Sequence, residues 1–524
     1  MHKRLAAHFI RQLYVKAFNS KVSSPAAALK FDFRLKRAQQ PKLKNTACGF
    51  VTRVQTAIKS TGDIPTNKPV GKLRTMKFDS PHFHALFTDE LKTLAAMFEK
   101  YGYELRIAGG AVRDLLLGNA PADVDFATTA TPDEMHRMFE KEHVRILHKA
   151  GEKHGTVACR INDKENFEVT TLRIDVDCDG RWAEVRFTTD WHLDANRRDL
   201  TINSMFLDLD GTVHDYFNGI ADLHARRVLF VGDAATRIQE DYLRILRYFR
   251  FFGRITEDRN SHDQPTLQAI KENAHGLESI SGERIWSELK KIAVGRFAGA
   301  ILRSMLVDCA LAQHLALPTT SREEAIRFEE WLDGIQASGP SSITVLCRLF
   351  NTSNDLTAFH KRMKLANIER DTAAFVVAHR HRLETISGLE QLVDFYQQLI
   401  VEQIFRRVPL GREHVYELVK YNGHAGQCLH TLQQWEAPVM PVNGLDVTMS
   451  AGVPKGPAVR VVLEKMFHLW VESKYQLSNQ QLMQNLTDNV WEKDINEALS
   501  PKQQRRRKRQ RMASAEGEGE DKSS

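Results

Sequence analysis

The stretch Ile107-Ala-Gly-Gly-Ala-Val-Arg-Asp114, followed closely by Asp123-Val-Asp125, constrains this 524-residue chain more than any other segment. The apolar run Leu105–Ala108 reads as a strand that stops at paired glycines, and a helical pattern begins after Ala111. Glycine pairs mark any tight turn, but Gly109 and Gly110 stand between a strand and a helix, where bare backbone amides can approach an anion. Arg113, one turn in, has the planar donors for charge-assisted bonds to phosphate. Asp114 reads as an internal partner that fixes Arg113 or the turn. Asp123 and Asp125 alternate with Val124 and Phe126, so on a strand the two acids share one face. Glu168, in Asn166-Phe-Glu-Val-Thr170, repeats the pattern of an acid between apolar strand residues. Three carboxylates brought together repel one another unless cations intervene. Mg2+, usually held by one or two carboxylates plus substrate phosphates, suits such a site. Two such ions can activate an attacking hydroxyl and hold a leaving pyrophosphate. The chemistry implied is metal-assisted nucleotidyl transfer, with Asp123, Asp125 and Glu168 catalytic and the metal at the two aspartates.

Two further clusters extend the picture. In Arg197-Arg-Asp-Leu-Thr-Ile-Asn203, Asp199 is a good helix cap. The functional reading has Arg198 and Asp199 holding the ribose and phosphates of an incoming nucleotide, with Asn203 supporting them, because a carboxylate can bind a ribose 2′-hydroxyl. In Glu240-Asp-Tyr-Leu-Arg-Ile-Leu-Arg-Tyr-Phe-Arg250, the residues Ile238, Tyr242, Ile245, Phe249 and Phe252 recur at helical spacing and predict a buried stripe behind a cap at Asp233. Glu240, Asp241, Arg244 and Arg247 then share another face. Taken alone this is an ordinary solvated face with a Glu240–Arg244 ion pair. Its alternative is base recognition. Cytosine and adenine both offer an amino donor beside a ring-nitrogen acceptor, matching Asp241 as acceptor and Arg244 as donor. Uracil and guanine reverse that order and leave polar atoms unpaired. Arg247 and Arg250 are placed to reach triphosphate, RNA backbone or solvent.

At this length the chain exceeds a single core. Composition is that of a globular protein, 42% hydrophobic and 27% charged, and no apolar run approaches a membrane span. Cys48, Cys159, Cys178, Cys309, Cys347 and Cys428 are scattered without a CxxC pair, which argues against a zinc site or disulfide framework. The overall charge of +7 is carried by the ends: residues 1–75 are strongly basic, residues 496–524 mildly so, and the stretch between is net acidic. Any RNA surface on the core must therefore be a local basic patch. Residues 1–31 contain no acid, and Leu5, Phe9, Leu13 and Lys16 fall at helical spacing over Met1–Phe18, the pattern of a mitochondrial transit peptide. Met76 is a candidate second start. The tail Arg505-Arg-Arg-Lys-Arg509 and its Glu/Gly/Ser end read as low-complexity, either a localisation signal, an RNA-contacting tail or an inert one.

Between these ends a helix is predicted over Phe83–Tyr101, another after Thr131, and strands over Leu105–Ala108, Asp123–Ala127, Thr156–Ile161, Phe167–Arg173 and Ser204–Leu209. Gly151-Glu-Lys-His-Gly155 is a glycine-bounded loop. From Asp233 almost to Glu492 the pattern is helical.

Together the three clusters resemble the class II CCA-adding enzymes, the tRNA nucleotidyltransferases of bacteria and eukaryotes, over roughly Met76 to Leu486. Gly110-Ala-Val-Arg113 with Asp123-Val-Asp125 matches their catalytic motif, Glu168 the third carboxylate, Arg198-Asp199 the ribose-binding motif, and Asp241 with Arg244 the protein template. Arg247 and Arg250 match further nucleotide contacts, and the Gly151–Thr156 loop a flexible element. The resemblance implies an α+β fold: a polymerase-β-like nucleotidyltransferase head with a mixed sheet over 76–225, then an all-helical neck (226–285), body (286–400) and tRNA-binding tail (401–495), between a lead at 1–75 and a tail at 496–524. It implies stepwise addition of C, C and A to the 3′ end of tRNA from CTP and ATP, with Mg2+ as cofactor, as a monomer or homodimer, without membrane association. Two other readings share the motifs: a bacterial-type poly(A) polymerase, and a non-catalytic RNA-binding relative. The latter should have lost a metal-binding carboxylate, and all three are present.

Overall fold

The structure is a computed structural model, and it describes residues 73–148, 151–178, 183–383, 386, 388–450, 453–487 and 491–505. The expected transit-peptide helix and the tail beyond Arg505 lie outside these residues.

Among the described residues ten strands form: β1 (Arg74–Lys77), β2 (Leu105–Ala108), β3 (Asp125–Thr128), β4 (Arg145–His148), β5 (Thr156–Ile161), β6 (Glu165–Thr171), β7 (Arg173–Cys178), β8 (Ala183–Phe187), β9 (Phe206–Asp208) and β10 (Thr212–Asp215). Eight make one sheet in the order β1-β10-β9-β2-β3-β6-β5-β4, while β7 and β8 form a separate hairpin. The pairings are antiparallel except β3 with β6, which run parallel, so the sheet is mixed as expected. Strand alternation divides it into two faces. Leu105, Ile107, Phe126, Phe167, Val169 and Leu207 join the main core with Leu94, Phe98, Met138 and Phe139 from the helices Asp89–Lys100 and Pro132–Lys141. On the other face Ala108, Ala127 and Phe206 pack with Trp191 and Ala195 of the helix Trp191–Asn196. Asp125 and Glu168 belong by alternation to this second face.

Several predicted elements differ. The helix expected over Phe83–Tyr101 is two helices, Pro81–His84 and Asp89–Lys100, because Thr88 turns to accept from the Leu91 amide at 3.0 Å while its hydroxyl donates to Glu165 at 2.7 Å. β3 starts at Asp125, so Asp123 precedes the strand. The strand expected over Phe167–Arg173 ends at Thr171, because the Leu172 amide turns to donate to Thr128 O at 2.9 Å and β7 begins anew. β1 begins at Arg74, so a chain started at Met76 would lack the first half of this edge strand.

Beyond β10 the described elements are helical apart from one isolated bridge. Asp233 caps Ala234–Glu240, accepting from the Thr236 amide at 2.9 Å. The single long helix expected through residue 252 is interrupted: Asp241 is extended, its carboxylate accepts from the Leu243 amide at 3.1 Å, and a new helix, Arg244–Ile255, begins. A short acid that can bond nearby backbone offers the chain an alternative to the helix. Ile238, Ile245, Phe249 and Phe252 are nevertheless all buried. Tyr242, at the break, packs where Gly276 leaves space; a Cβ there would lie 1.9 Å from the ring. A second apolar cluster, including Val401, Val462, Met466, Trp470 and Trp491, forms a separate core toward the C-terminal end. Among the described residues no helix is long and apolar enough to cross a membrane.

His262 stacks on Phe252 at 3.6 Å and its Nδ1 pairs with the Tyr248 hydroxyl at 3.1 Å. Burial pushes its pKa down to about 4. The unfolded chain, with a histidine near pKa ~6.5, takes up that proton first, so stability is full above this pH and falls as pH drops toward 4. Urea titrations at pH 7.5 and 5.5 should show a loss about 1 kcal/mol larger in the natural protein than in His262→Phe. Equal losses would contradict this account.

Candidate active site

The strand β2 ends where Gly109 adopts φ +64° and starts the helix Gly110–Leu116. A Cβ at Gly109 would stand 2.8 Å from Arg198 Nη1, so only glycine lets this turn meet that guanidinium closely. Next to β2, β3 pairs in parallel with β6, and the register sets Asp125 directly against Glu168. The turn and these acids open onto a cleft of about 760 Å³ lined by residues of the sheet and of the helical segment through Arg284.

Of the sequence-predicted site residues, Asp123 alone is absent from the cleft lining; the other twelve share it. Asp123 is exposed in the turn before β3, where strand alternation no longer controls its direction. Among the described residues, no group of three His, Cys, Asp or Glu side chains closes to metal-ligating distance. The carboxylate trio expected from sequence is thus a close pair with a third acid at its edge. Desolvation in the cleft, together with the nearby negative charges of Glu168 and Asp123, raises the Asp125 pKa above its ordinary value. This oxygen-rich donor set, strained by like charge, suits a hard divalent cation.

The arginines are largely committed to neighbours. Arg113 is buried, donates through Nε and Nη2 to Asp114 at 3.0 Å and through Nη1 to Asn203, and lies over the Phe251 ring. Asp114 is its internal partner, as expected, and also accepts from Arg254 at 2.9 Å. Arg247 and Arg250, expected to reach triphosphate, RNA backbone or solvent, both line the cleft, where Arg247 bonds Asp199 at 2.6 Å and Arg250 bonds Glu288 on the helix Gly282–Ala293. Asp199 also accepts from the Leu200 amide at 2.9 Å and precedes a short 3₁₀ turn at Thr201–Asn203 rather than capping an α-helix. Burial alone would raise the Asp199 carboxyl, but Arg247 holds it below the ordinary range.

Asp241 and Arg244 both line the cleft without bonding each other through their side chains. Asp241 pairs with Arg284 at 2.8 Å. Arg244 donates to Glu240 at 2.5 Å and to the carbonyls of Arg237 and Arg197, each at 3.0 Å. The Glu240–Arg244 ion pair of the simpler reading therefore forms, yet Arg244 is buried rather than solvated. Three such bonds leave part of the five-donor guanidinium free, and Asp241 retains acceptor capacity.

Sequence reasoning missed Arg284, Arg254, Arg173 and Asp194. Nothing local marks Arg284, which arrives from a distant helix. Asp194 had a signal: it sits three and four residues before Arg197 and Arg198, the spacing of helical ion pairs. Nine arginines and six carboxylates line the cleft, giving the local basic patch that the acidic core charge required. Such a cleft can attract a polyanion while its two sheet acids resist one.

Two family models match: one described as Poly A polymerase head domain, over residues 105–229, and one described as Probable RNA and SrmB- binding site of polymerase A, over residues 263–322. A Mus musculus protein named CCA tRNA nucleotidyltransferase 1, mitochondrial, is 47% identical over 78% of this chain and 93% of its own length. Its Homo sapiens counterpart of the same name is 47% identical over 79% of this chain and 94% of its own. The crystal structure of the Bacillus stearothermophilus CCA-adding enzyme in complex with CTP superimposes with a TM-score of 0.61 at 27% identity, covering 80% of this chain and all of that one. With identity of this level along nearly the whole length of its relatives, the chain belongs to the CCA tRNA nucleotidyltransferase family.

Proposed function

We propose that this protein adds C, C and A in turn to the 3′ end of tRNA, taking CTP and ATP without a nucleic-acid template and releasing pyrophosphate. The observation that carries the reading is one cleft holding a glycine turn, the Asp125–Glu168 pair and the separate Asp241 and Arg244. In each step the terminal 3′-hydroxyl of the RNA attacks the α-phosphate, a P–O bond forms, and the bond to the pyrophosphate leaving group breaks. Asp125 and Glu168, with Asp123 beside them, would hold Mg2+, which when bound supplies charge neutralisation and activation of the hydroxyl. The glycine-turn amides and Arg198 receive phosphate oxygens. Asp199, already stiffened by Arg247, accepts from the ribose hydroxyl, with Asn203 beside it. Asp241 and the free donors of Arg244 read the base edge; Arg113, Arg247 and Arg250 keep the surrounding wall in place. The head, neck, body and tail described from resemblance remain the domain scheme we favour, with tRNA lying along the helical portion.

The names of the mammalian relatives support a mitochondrial location. Residues 1–75 then serve as the import lead, and a start at Met76 supplies a form outside mitochondria at the expense of half of β1. Fusing residues 1–75 to a fluorescent reporter should send it to mitochondria, and a diffuse reporter would remove this part of the proposal.

Sequencing products made on tRNA lacking its terminal CCA should show ends completed as C-C-A and no further. Long A tails made with CTP ignored would identify a poly(A) polymerase instead. Asp123→Ala or Asp125→Ala should lower the rate at least about a thousandfold, the scale of a lost metal contribution. Asp241→Ala and Arg244→Ala should keep measurable transfer but admit U and G; unchanged preference for C and A in both would refute base reading by this pair.

A further inference from the structure

The side chain that organises the cleft most extensively is one with no role so far. Asp194, on the helix Trp191–Asn196, is 1% exposed and its carboxylate accepts from four donors on three residues. Oδ1 takes Arg197 Nε at 2.8 Å and the Arg173 amide at 3.2 Å; Oδ2 takes Arg198 Nε at 3.2 Å and Nη2 at 3.1 Å. The Nε–Nη2 edge of Arg198 is thereby consumed. Its remaining Nη1 bonds Asn203 O at 3.2 Å and lies against the Gly109 turn, while the guanidinium rests over the Phe206 ring at 4.8 Å. Arg197 is fixed in the same way, and its carbonyl carries Arg244 at 3.0 Å.

We infer that Asp194 is a positioning residue for the incoming nucleotide: by clamping Arg197 and Arg198 it presents the Nη1 side of Arg198 to the glycine turn, where a triphosphate enters. The inference rests on the nucleotidyl-transfer reading of this cleft. Two adjacent arginines without a counter-charge would repel each other and sample many rotamers, and an anion would then pay the ordering entropy on binding. One buried carboxylate settles that order beforehand and leaves the pair at a net single positive charge. Burial alone would raise the Asp194 carboxyl, but Arg198 and Arg197 bring it below the usual range, so it is ionised at neutral pH. Through the Arg173 amide the same carboxylate ties the start of β7 to the two arginines, so the hairpin base and the phosphate side of the cleft are held by one group.

The test is steady-state addition by the full chain to tRNA lacking its CCA end, with KM measured separately for CTP, ATP and tRNA. Asp194→Asn, which keeps the volume and removes the charge, should raise KM for both nucleotides about tenfold or more, the scale of lost charged hydrogen bonds. The KM for tRNA should stay unchanged, and Asp194→Glu should recover part of the loss. Arg198→Lys should show the same nucleotide defect, and the double variant should be no worse than the weaker single one, because the two residues act as a unit. Unchanged nucleotide KM, an equal rise in tRNA KM, or additive losses would each overturn the role. If Asp194→Asn gives no cooperative urea transition, Arg198→Lys decides alone by the same nucleotide KM. If the natural protein extends no tRNA, the proposed function falls instead, and equilibrium binding of CTP to the natural protein and the variants judges Asp194.

Discussion

The parallel pairing of β3 with β6 is the constraint from which the site follows. Register in a sheet is set by which side chains must be buried, and a slip of one residue exchanges the two faces. Phe126 and Val169 are register partners buried on the core side, so Asp125 and Glu168, one residue earlier on each strand, must meet on the other. Burial of apolar rings thus drives two carboxylates together. The hydrophobic gain of the core, about 1.5–3 kcal/mol for each fully buried large side chain, outweighs the repulsion of acids that stay in contact with water.

The second organising principle is that the cleft arginines, Arg173 apart, are each paired with an acid rather than left to solvent. Asp114 holds Arg113 and Arg254, Asp194 holds Arg197 and Arg198, Asp199 holds Arg247, Glu288 holds Arg250, and Asp241 holds Arg284. Removing a charge from water is costly and is offset only with good geometry and remaining hydrogen bonds satisfied. The cleft meets that condition with carboxylates drawn from helices and the turns beside them, and its lining holds nine arginines against six carboxylates. An excess of this size fits a ligand that must bind as a triphosphate and leave in part as pyrophosphate. The same logic explains the break at Asp241. Its carboxylate is occupied by the Leu243 amide and Arg284, and a continuous helix would have given up the first of these.

Much of this was legible in the linear chain. The strand, glycine turn and helix at 105–116 were readable because turn chemistry and apolar alternation are local, and β2 and β5 begin and end where alternation placed them. The buried stripe from Ile238 to Phe252 was readable too, since a period near 3.6 survives a short interruption. Asp123 was misplaced because alternation holds only inside a strand, and the point where β3 starts depends on its partners. The helix break was not legible because Glu240, Asp241 and Arg244 fit an uninterrupted helical face equally well.

What the sequence by itself determined was the chemical inventory and its local geometry: a glycine at which φ must be positive, acids alternating with core residues, and arginines spaced along helices. These follow from steric limits and short-range periodicity, which a linear chain carries in full. Only the tertiary structure decided which charges pair. Arg284 meets Asp241 across 43 residues, Arg247 meets Asp199 across 48, and Arg254 meets Asp114 across 140. Such partners are chosen by how the helices pack against the sheet, because a buried ion takes whichever countercharge the packed core brings within reach.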